Sequence, residues 1–252
     1  MKKKYAKYYQ EIIDSVKYKN NVFTNLYSGE KVIISAMIDD SPEMQRFFNF
    51  ATIYNAILDV DKKIKFSFKE AIRLADNINF DKWRPLDSPS KREYYAIYHL
   101  ENAIFRTEIL WDLLAQLFNL KENLNKEFNK VYATKLFHDS QQGKKANKFA
   151  KKVYSYMKQQ DNTNVEPWEG NYTYVKDFRD KMTHRSSPNI TSFSDFSLEL
   201  RYPVAVILKR VVEDYKQVYI FIQEILEDIL ENYKMLSNIE PYNEKKSRLS
   251  NN

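Results

Sequence analysis

The sequence predicts an all-α fold. Its main part is an antiparallel bundle of four to five long helices over residues 85–240, preceded by a helical extension over 1–84 and followed by a frayed polar tail over 241–252. Three observations point there. Apolar residues recur at three- and four-residue steps along most of the chain. Helix-start signals stand in front of several of these runs. Glycine occurs only three times in 252 residues; glycine-rich phosphate cradles and turn-dense all-β folds need more.

Residues 4–17 carry tyrosines and isoleucines among charges at helical steps. Residues 31–38 form a short apolar run that fits a strand or a buried helix turn equally well. Ser41-Pro42 reads as N-cap and first helical residue of a helix to about Val60. Ser67 with Glu70 is a capping box for a helix to about Ile78. Pro85 and Pro89 mark 81–89 as a connection, and Ser90 with Glu93 is a second capping box. That box opens a helix to about Asn119, with Ile97, Leu100, Ile104, Trp111, Leu114 and Phe118 facing inward.

Further helices are expected from about Lys121 to Phe137, from about Gln141 to Lys158 and from about Tyr172 to Arg185, with loops at 159–170 and 186–203. The last helix begins at Pro203 and reaches about Leu236, which at 1.5 Å per residue is about 50 Å.

Composition narrows the function. A hydrophobic fraction of 43% and an aromatic fraction of 15% belong to a globular chain. Cysteine is absent, so disulfides, thiolate zinc sites and a cysteine nucleophile are excluded. No apolar run follows the first lysines and none approaches membrane-spanning length, so the expected location is the cytoplasm and no membrane partner is expected. The net charge of +6 permits a polyanionic partner.

Phe178-Arg179-Asp180-Lys181-Met182-Thr183-His184-Arg185 stands out. A histidine moves protons near neutral pH, and an arginine neutralises charge growing on a phosphate. Together they are a minimal kit for cutting RNA without a metal. Asp180 and His184 are four apart, so the carboxylate is placed to fix the imidazole tautomer. Lys181 and Arg185 put positive charge where a nucleic acid backbone would lie. Residues five apart on a helix are about 140° out of phase. Arg179 and His184 therefore meet only if the helix ends near Thr183, or if two copies face each other across a two-fold axis. The bland alternative is a pair of solvated cations at a helix end, suited to the helix dipole.

Arg followed by a polar residue, with His after four intervening positions, resembles the signature of the HEPN superfamily (higher eukaryotes and prokaryotes nucleotide-binding). The helix with Glu101-Asn-Ala-Ile-Phe-Arg106 and Leu110-Trp111-Asp112 resembles the bundle helix that precedes the motif in some HEPN families. The resemblance covers roughly residues 88–238. It implies a metal-independent endoribonuclease that acts as a homodimer, with Arg179, His184 and Asp180 catalytic, Lys181 and Arg185 on RNA, and neither metal nor cofactor. It also implies a toxin–antitoxin or phage-defence setting, with an antitoxin or another defence component as partner. Ser186 stands where some toxin members carry a regulatory tyrosine. Other HEPN domains are non-catalytic modules that bind RNA, nucleotide or protein, which is the alternative function.

Competing residues have plainer readings. Arg92 and His99 are a looser match, and His99 beside the apolar stripe reads as a bundle histidine. His138 reads as a cap or surface residue. Glu101, Glu108 and Asp112 share a helix face; no Glu-x-x-His occurs, so a di-metal site is not expected, and one of these acids is placed to pair with Arg179.

Overall fold

The computed structural model describes residues 3–19, 42–76, 78, 83–142, 146–162, 167–184, 188–194 and 197–237. The run at 31–38 and the tail at 241–252 lie outside the described residues. Within them the chain is all-α in architecture, with helices packed on helices. The helices are α1 (Lys3–Ser15), α2 (Pro42–Ala75), α3 (Lys91–Lys121), α4 (Ala133–Ser140), α5 (Lys148–Met157), α6 (Asn171–His184) and α7 (Val204–Ser237). Two antiparallel pairs of three-residue strands fill loops: β1 (Gln160–Asn162) with β2 (Pro167–Glu169), and β3 (Ser192–Ser194) with β4 (Ser197–Glu199). The 159–170 and 186–203 loops thus contain small hairpins that helical periodicity does not reveal. No described helix is long and apolar enough to cross a membrane.

Helix α2 replaces the two helices expected around Val60 and Ser67. The intervening Asp61-Lys62-Lys63-Ile64-Lys65-Phe66 contains no glycine or proline to stop a helix. Ile64 and Phe68 are fully buried and carry the apolar stripe through. Ser67 is therefore a buried mid-helix residue, and its capping signal goes unused. The Ser90 cap does operate, since the Ser90 hydroxyl accepts from the Glu93 amide at 3.3 Å, but the Glu93 carboxylate turns to Trp83 and Arg201.

The helices expected over 121–137 and 141–158 are shorter than the periodicity implies. Asn123 and Asn125 take positive φ, 52° and 53°, a left-handed conformation that stops a helix and that asparagine tolerates. The Asn119 side chain holds this turn by donating to the Lys126 carbonyl at 2.8 Å and accepting from its amide at 3.1 Å. A 3₁₀ turn over Phe128–Lys130 follows, and α4 starts only at Ala133. The Asn147 side chain caps α5 by accepting from the Ala150 amide at 3.1 Å.

Side-chain contacts give the helix directions. Arg46 at the start of α2 donates to the Lys121 carbonyl at the end of α3, so these two helices, which pack along each other most extensively, run antiparallel. Helix α6 is antiparallel to α3, with Tyr172 against Trp111 and Arg179 at Glu108, and to α7, with Asn171 at Glu213 and Tyr174 under Arg210. By contrast α3 and α7 run parallel, joined at Trp111–Asp214 and Lys121–Asp228. The short α4 and α5 and the return along α6 let the chain cross back before α7.

One buried cluster spans the chain from Tyr9 to Ile229. Residues of the expected extension, among them Ile57, Ile64 and Phe68, share that cluster with Trp111, Tyr215 and Ile222 of the expected bundle. Phe68 meets Tyr215 edge-on at 5.4 Å, and the Tyr215 hydroxyl donates to Asp61, which also accepts from Lys65 at 2.6 Å.

Because Phe68 joins α2 to α7, Phe68→Ala is expected to lower stability by about 3–5 kcal/mol. Urea unfolding followed by tryptophan fluorescence and by far-ultraviolet circular dichroism would then shift together as one transition. Non-coincident transitions would mean that residues 1–84 unfold as a separate unit.

Candidate functional site

Helix α6 places the motif, and its start is set by close backbone packing. At Gly170 an added Cβ would lie 2.2 Å from the Gln159 carbonyl oxygen, so only glycine lets β1 and the entry to α6 approach so closely. The Gly170 carbonyl then accepts from the Tyr174 amide at 3.0 Å. Tyr172, Val175 and Phe178 are buried and seat the helix on the core. That leaves Arg179 and Asp180 on the flank next to α3.

Arg179 is pinned from two sides. Its Nη2 donates to Glu108 Oε2 on α3 at 3.4 Å, and its Nη1 lies 3.0 Å from Asp180 Oδ1. Its Nε is buried and has no partner among the described residues. The side chain keeps 31% of its surface exposed. Asp180 also accepts from Lys176 at 2.9 Å. The carboxylate expected to serve His184 is thus engaged by two cations on the same flank. His184 closes α6 through its backbone, but its side chain, and the whole of Arg185 and Ser186, lie outside the described residues. Lys181 is exposed on the opposite flank, lining a groove with Tyr202 and Pro188.

The three acids on α3 each tie down a different piece of the site. Glu101 accepts from Asn189 Nδ2 at 2.9 Å and anchors the loop after the motif. Glu108 holds Arg179. Asp112 accepts from the Ala133 amide at 3.2 Å and caps α4. The sequence placed one of them against Arg179, and it is Glu108. Among the described residues, no group of three or more His, Asp or Glu side chains is arranged to hold a metal ion.

Burial controls the protonation of this region. Glu108 is pushed up to about 8, mainly by loss of water and further by the neighbouring Asp214, with Arg179 pulling the other way. At neutral pH it is therefore largely the neutral acid that accepts from Arg179, and the guanidinium keeps its net charge. Asp214, wholly buried, is raised to about 7 by desolvation, against the hydrogen bonds it accepts from Trp111 and Tyr156. Burial raises Asp112 as well.

Two buried groups carry no helical-spacing signature. Asp214 sits inside the apolar stripe of α7 beside Val211, Tyr215 and Val218; an acid on an apolar face was the available signal. Arg201 pairs with Glu93 and donates to the carbonyls of Pro85 and Arg84, closing the loop before α7 onto the start of α3. No local pattern announces that residue. His99 packs edge-on against Phe66 and Tyr98, and His138 contacts Asp139 and Gln142 at the surface. Both occupy the plainer roles read for them.

No protein-family model matches the chain, and no curated protein or solved structure matches it either.

Both raised carboxyls bind their protons more tightly in the folded chain than in the unfolded one, where Asp and Glu titrate near 4. Their contribution to stability is full below that range and is lost as pH rises through about 7 for Asp214 and about 8 for Glu108. The melting temperature is expected to fall from pH 5 to pH 9. Glu108→Gln, which keeps an acceptor for Arg179, should flatten the decline. An unchanged slope in that variant would show that Glu108 is not the titrating group.

Proposed function

We propose that the chain is a metal-independent endoribonuclease of HEPN type, built on Arg179 and His184 and acting as a dimer. The observation that carries this reading is the fixed motif arginine. Glu108 and Asp180 hold its two terminal nitrogens while about a third of the side chain stays exposed, and the backbone of His184 lies five residues on at the end of the same helix. A guanidinium oriented before substrate arrives loses little side-chain entropy when it meets a phosphate.

In the proposed reaction a general base, assigned to His184, takes the proton of a ribose 2′-hydroxyl. The freed oxygen attacks the adjacent phosphorus, the bond to the 5′-oxygen breaks, and that oxygen receives a proton. The products are a 2′,3′-cyclic phosphate and a 5′-hydroxyl. Arg179 neutralises the charge that grows on the phosphoryl oxygens. Asp180 orients Arg179 and stands one turn before His184. Lys181 and Arg185 take flanking phosphates.

The phase difference of about 140° between Arg179 and His184 along one helix favours a site shared by two chains. A stripe of exposed apolar side chains on α3, with Tyr95, Tyr98, Phe105 and Ile109, supports the dimer. The motif and the basic charge balance also fit a toxin or phage-defence ribonuclease with an antitoxin-like partner, working in the cytoplasm.

One observation favours the second reading, a non-catalytic helical module that binds RNA, nucleotide or a protein partner. Arg179 already has two carboxyl partners, the geometry of a structural ion pair.

Cleavage separates the two readings. Purified protein in EDTA is expected to cut single-stranded or loop RNA into fragments with 2′,3′-cyclic phosphate ends. His184→Ala should lose about 10²–10⁴-fold in rate. Folded, dimeric wild-type protein that leaves a broad RNA pool intact would favour the binding module.

Subunit mixing tests the shared site. Arg179→Ala and His184→Ala chains, each inactive alone, should recover part of the activity when exchanged into heterodimers. A monomeric mass at micromolar concentration by light scattering would rule out the shared site.

A further inference from the structure

On the flank of α6 that carries Lys181, a stacked pair separates two grooves. The Arg201 guanidinium lies 5.1 Å from the centre of the Trp83 ring, and Arg201 is 4% exposed. Glu93 matches its charge and also accepts from Trp83 Nε1 at 2.9 Å. The Arg201 Nε and Nη2 donate to the carbonyls of Pro85 and Arg84 at 3.2 and 2.8 Å. The wall is therefore satisfied and rigid before any ligand arrives.

On one side of it lies a groove of about 570 Å³ lined by Trp83, Pro188, Leu200, Tyr202 and Pro203, with Lys181 at its edge. Leu200 and Tyr202 are 44% and 43% exposed there, and among the described residues the Tyr202 ring makes an edge-on contact with Tyr174. On the other side lies a groove of about 500 Å³ that presents Arg84, Lys91 and Arg92, with Asp87 as its one acid besides Glu93. Lys91 and Arg92 are exposed and make none of the ion pairs found among the described residues. Both volumes fall within the range of about 300–1,000 Å³ usual for ligand sites.

We propose that these two grooves form one track for single-stranded RNA, with a base stacked on Tyr202 in the first and backbone phosphates held by Arg84, Lys91 and Arg92 in the second. The inference rests on the RNA-directed reading above and adds where the strand lies. An aromatic slot bordered by cations matches the two parts of a single strand, planar faces and a charged backbone. An apolar peptide segment would leave the cationic groove unused, and a duplex would present no free base to the slot. Lys181 follows Arg179 by two residues, about 200° around α6. The strand on this track therefore reaches Arg179 by crossing the C-terminal end of α6, where the backbone of His184 lies.

The test uses the full chain carrying His184→Ala and fluorescein-labelled single-stranded RNA octamers, read by anisotropy across a salt series. Adding Tyr202→Ala is expected to weaken binding about five- to hundredfold, whereas Tyr202→Phe should retain it. The double change Lys91→Ala with Arg92→Ala should lower the slope of log K against log salt by about 1.4, two single-strand phosphate contacts. An abasic nucleotide moved along the octamer should weaken binding at one position, and should cost nothing further there once Tyr202 is Ala.

Because Tyr202 is exposed, the variants are expected to keep the parent's melting temperature, which checks folding. Unchanged affinity and salt slope in folded variants that still bind RNA would overturn the track and leave the ribonuclease reading standing. Intact track effects in a wild-type protein that never cuts RNA would support the track and overturn the ribonuclease. Loss of dimer mass on Tyr202→Ala, without a change in RNA affinity per chain, would assign the groove to a second copy and overturn the track.

Discussion

A single buried carboxyl holds the centre of this molecule together. Asp214 has no exposure, and each of its oxygens is taken by a donor from another helix: Trp111 Nε1 from α3 and the Tyr156 hydroxyl from α5, both at 2.9 Å. A polar group in that position is costly unless its partners are complete. The requirement sets the rotation of α3, α5 and α7 about their axes. Trp111 also packs against Tyr156, Tyr172 and Phe221, so the polar contact and the aromatic packing select one arrangement. The rotation of α3 in turn decides which of its side chains face α6.

From that orientation the candidate site follows. Helix α3 presents Glu101, Glu108 and Asp112 in order along one flank, and they reach the loop after the motif, the motif arginine and the start of α4. The first two contacts cross to segments 88 and 71 residues away in sequence. Arg179 is thus braced by the same helix that forms the middle of the core, through Glu108. This is the rigid support that a group aimed at developing charge requires.

Electrostatics at the site depend on burial as much as on pairing. A solvated glutamate beside Arg179 would cancel its charge. Desolvation raises the Glu108 carboxyl to about 8, so the contact orients the guanidinium without neutralising it. Asp180, less buried, is shared between Arg179 and Lys176. Arg179 and Lys176 thus flank Asp180 while burial works against the charge of Glu108, a cationic setting that suits a phosphate.

The helical class was legible in the chain because a 3.6-residue periodicity is a local property, and scarce glycine removes the main competing folds. The Ser90 cap, the motif helix and the last long helix were legible for the same reason. Where an element's extent depends on distant partners, local signals misled: Ser67 looked like a helix start, yet Ile64 and Phe68 carry α2 through it because both bury against other helices. The left-handed turns at Asn123 and Asn125, the small hairpins and the parallel run of α3 with α7 left no periodic trace. At the candidate site the sequence supplied the residues, Arg179 with its neighbours and three acids on one face, but spacing within a helix says nothing about what lies across from it. Which acid meets Arg179, how far burial shifts that acid, and that Arg201 and Trp83 form a wall beside Lys181 were decided by tertiary packing, since residues scores of positions apart meet only when the core closes.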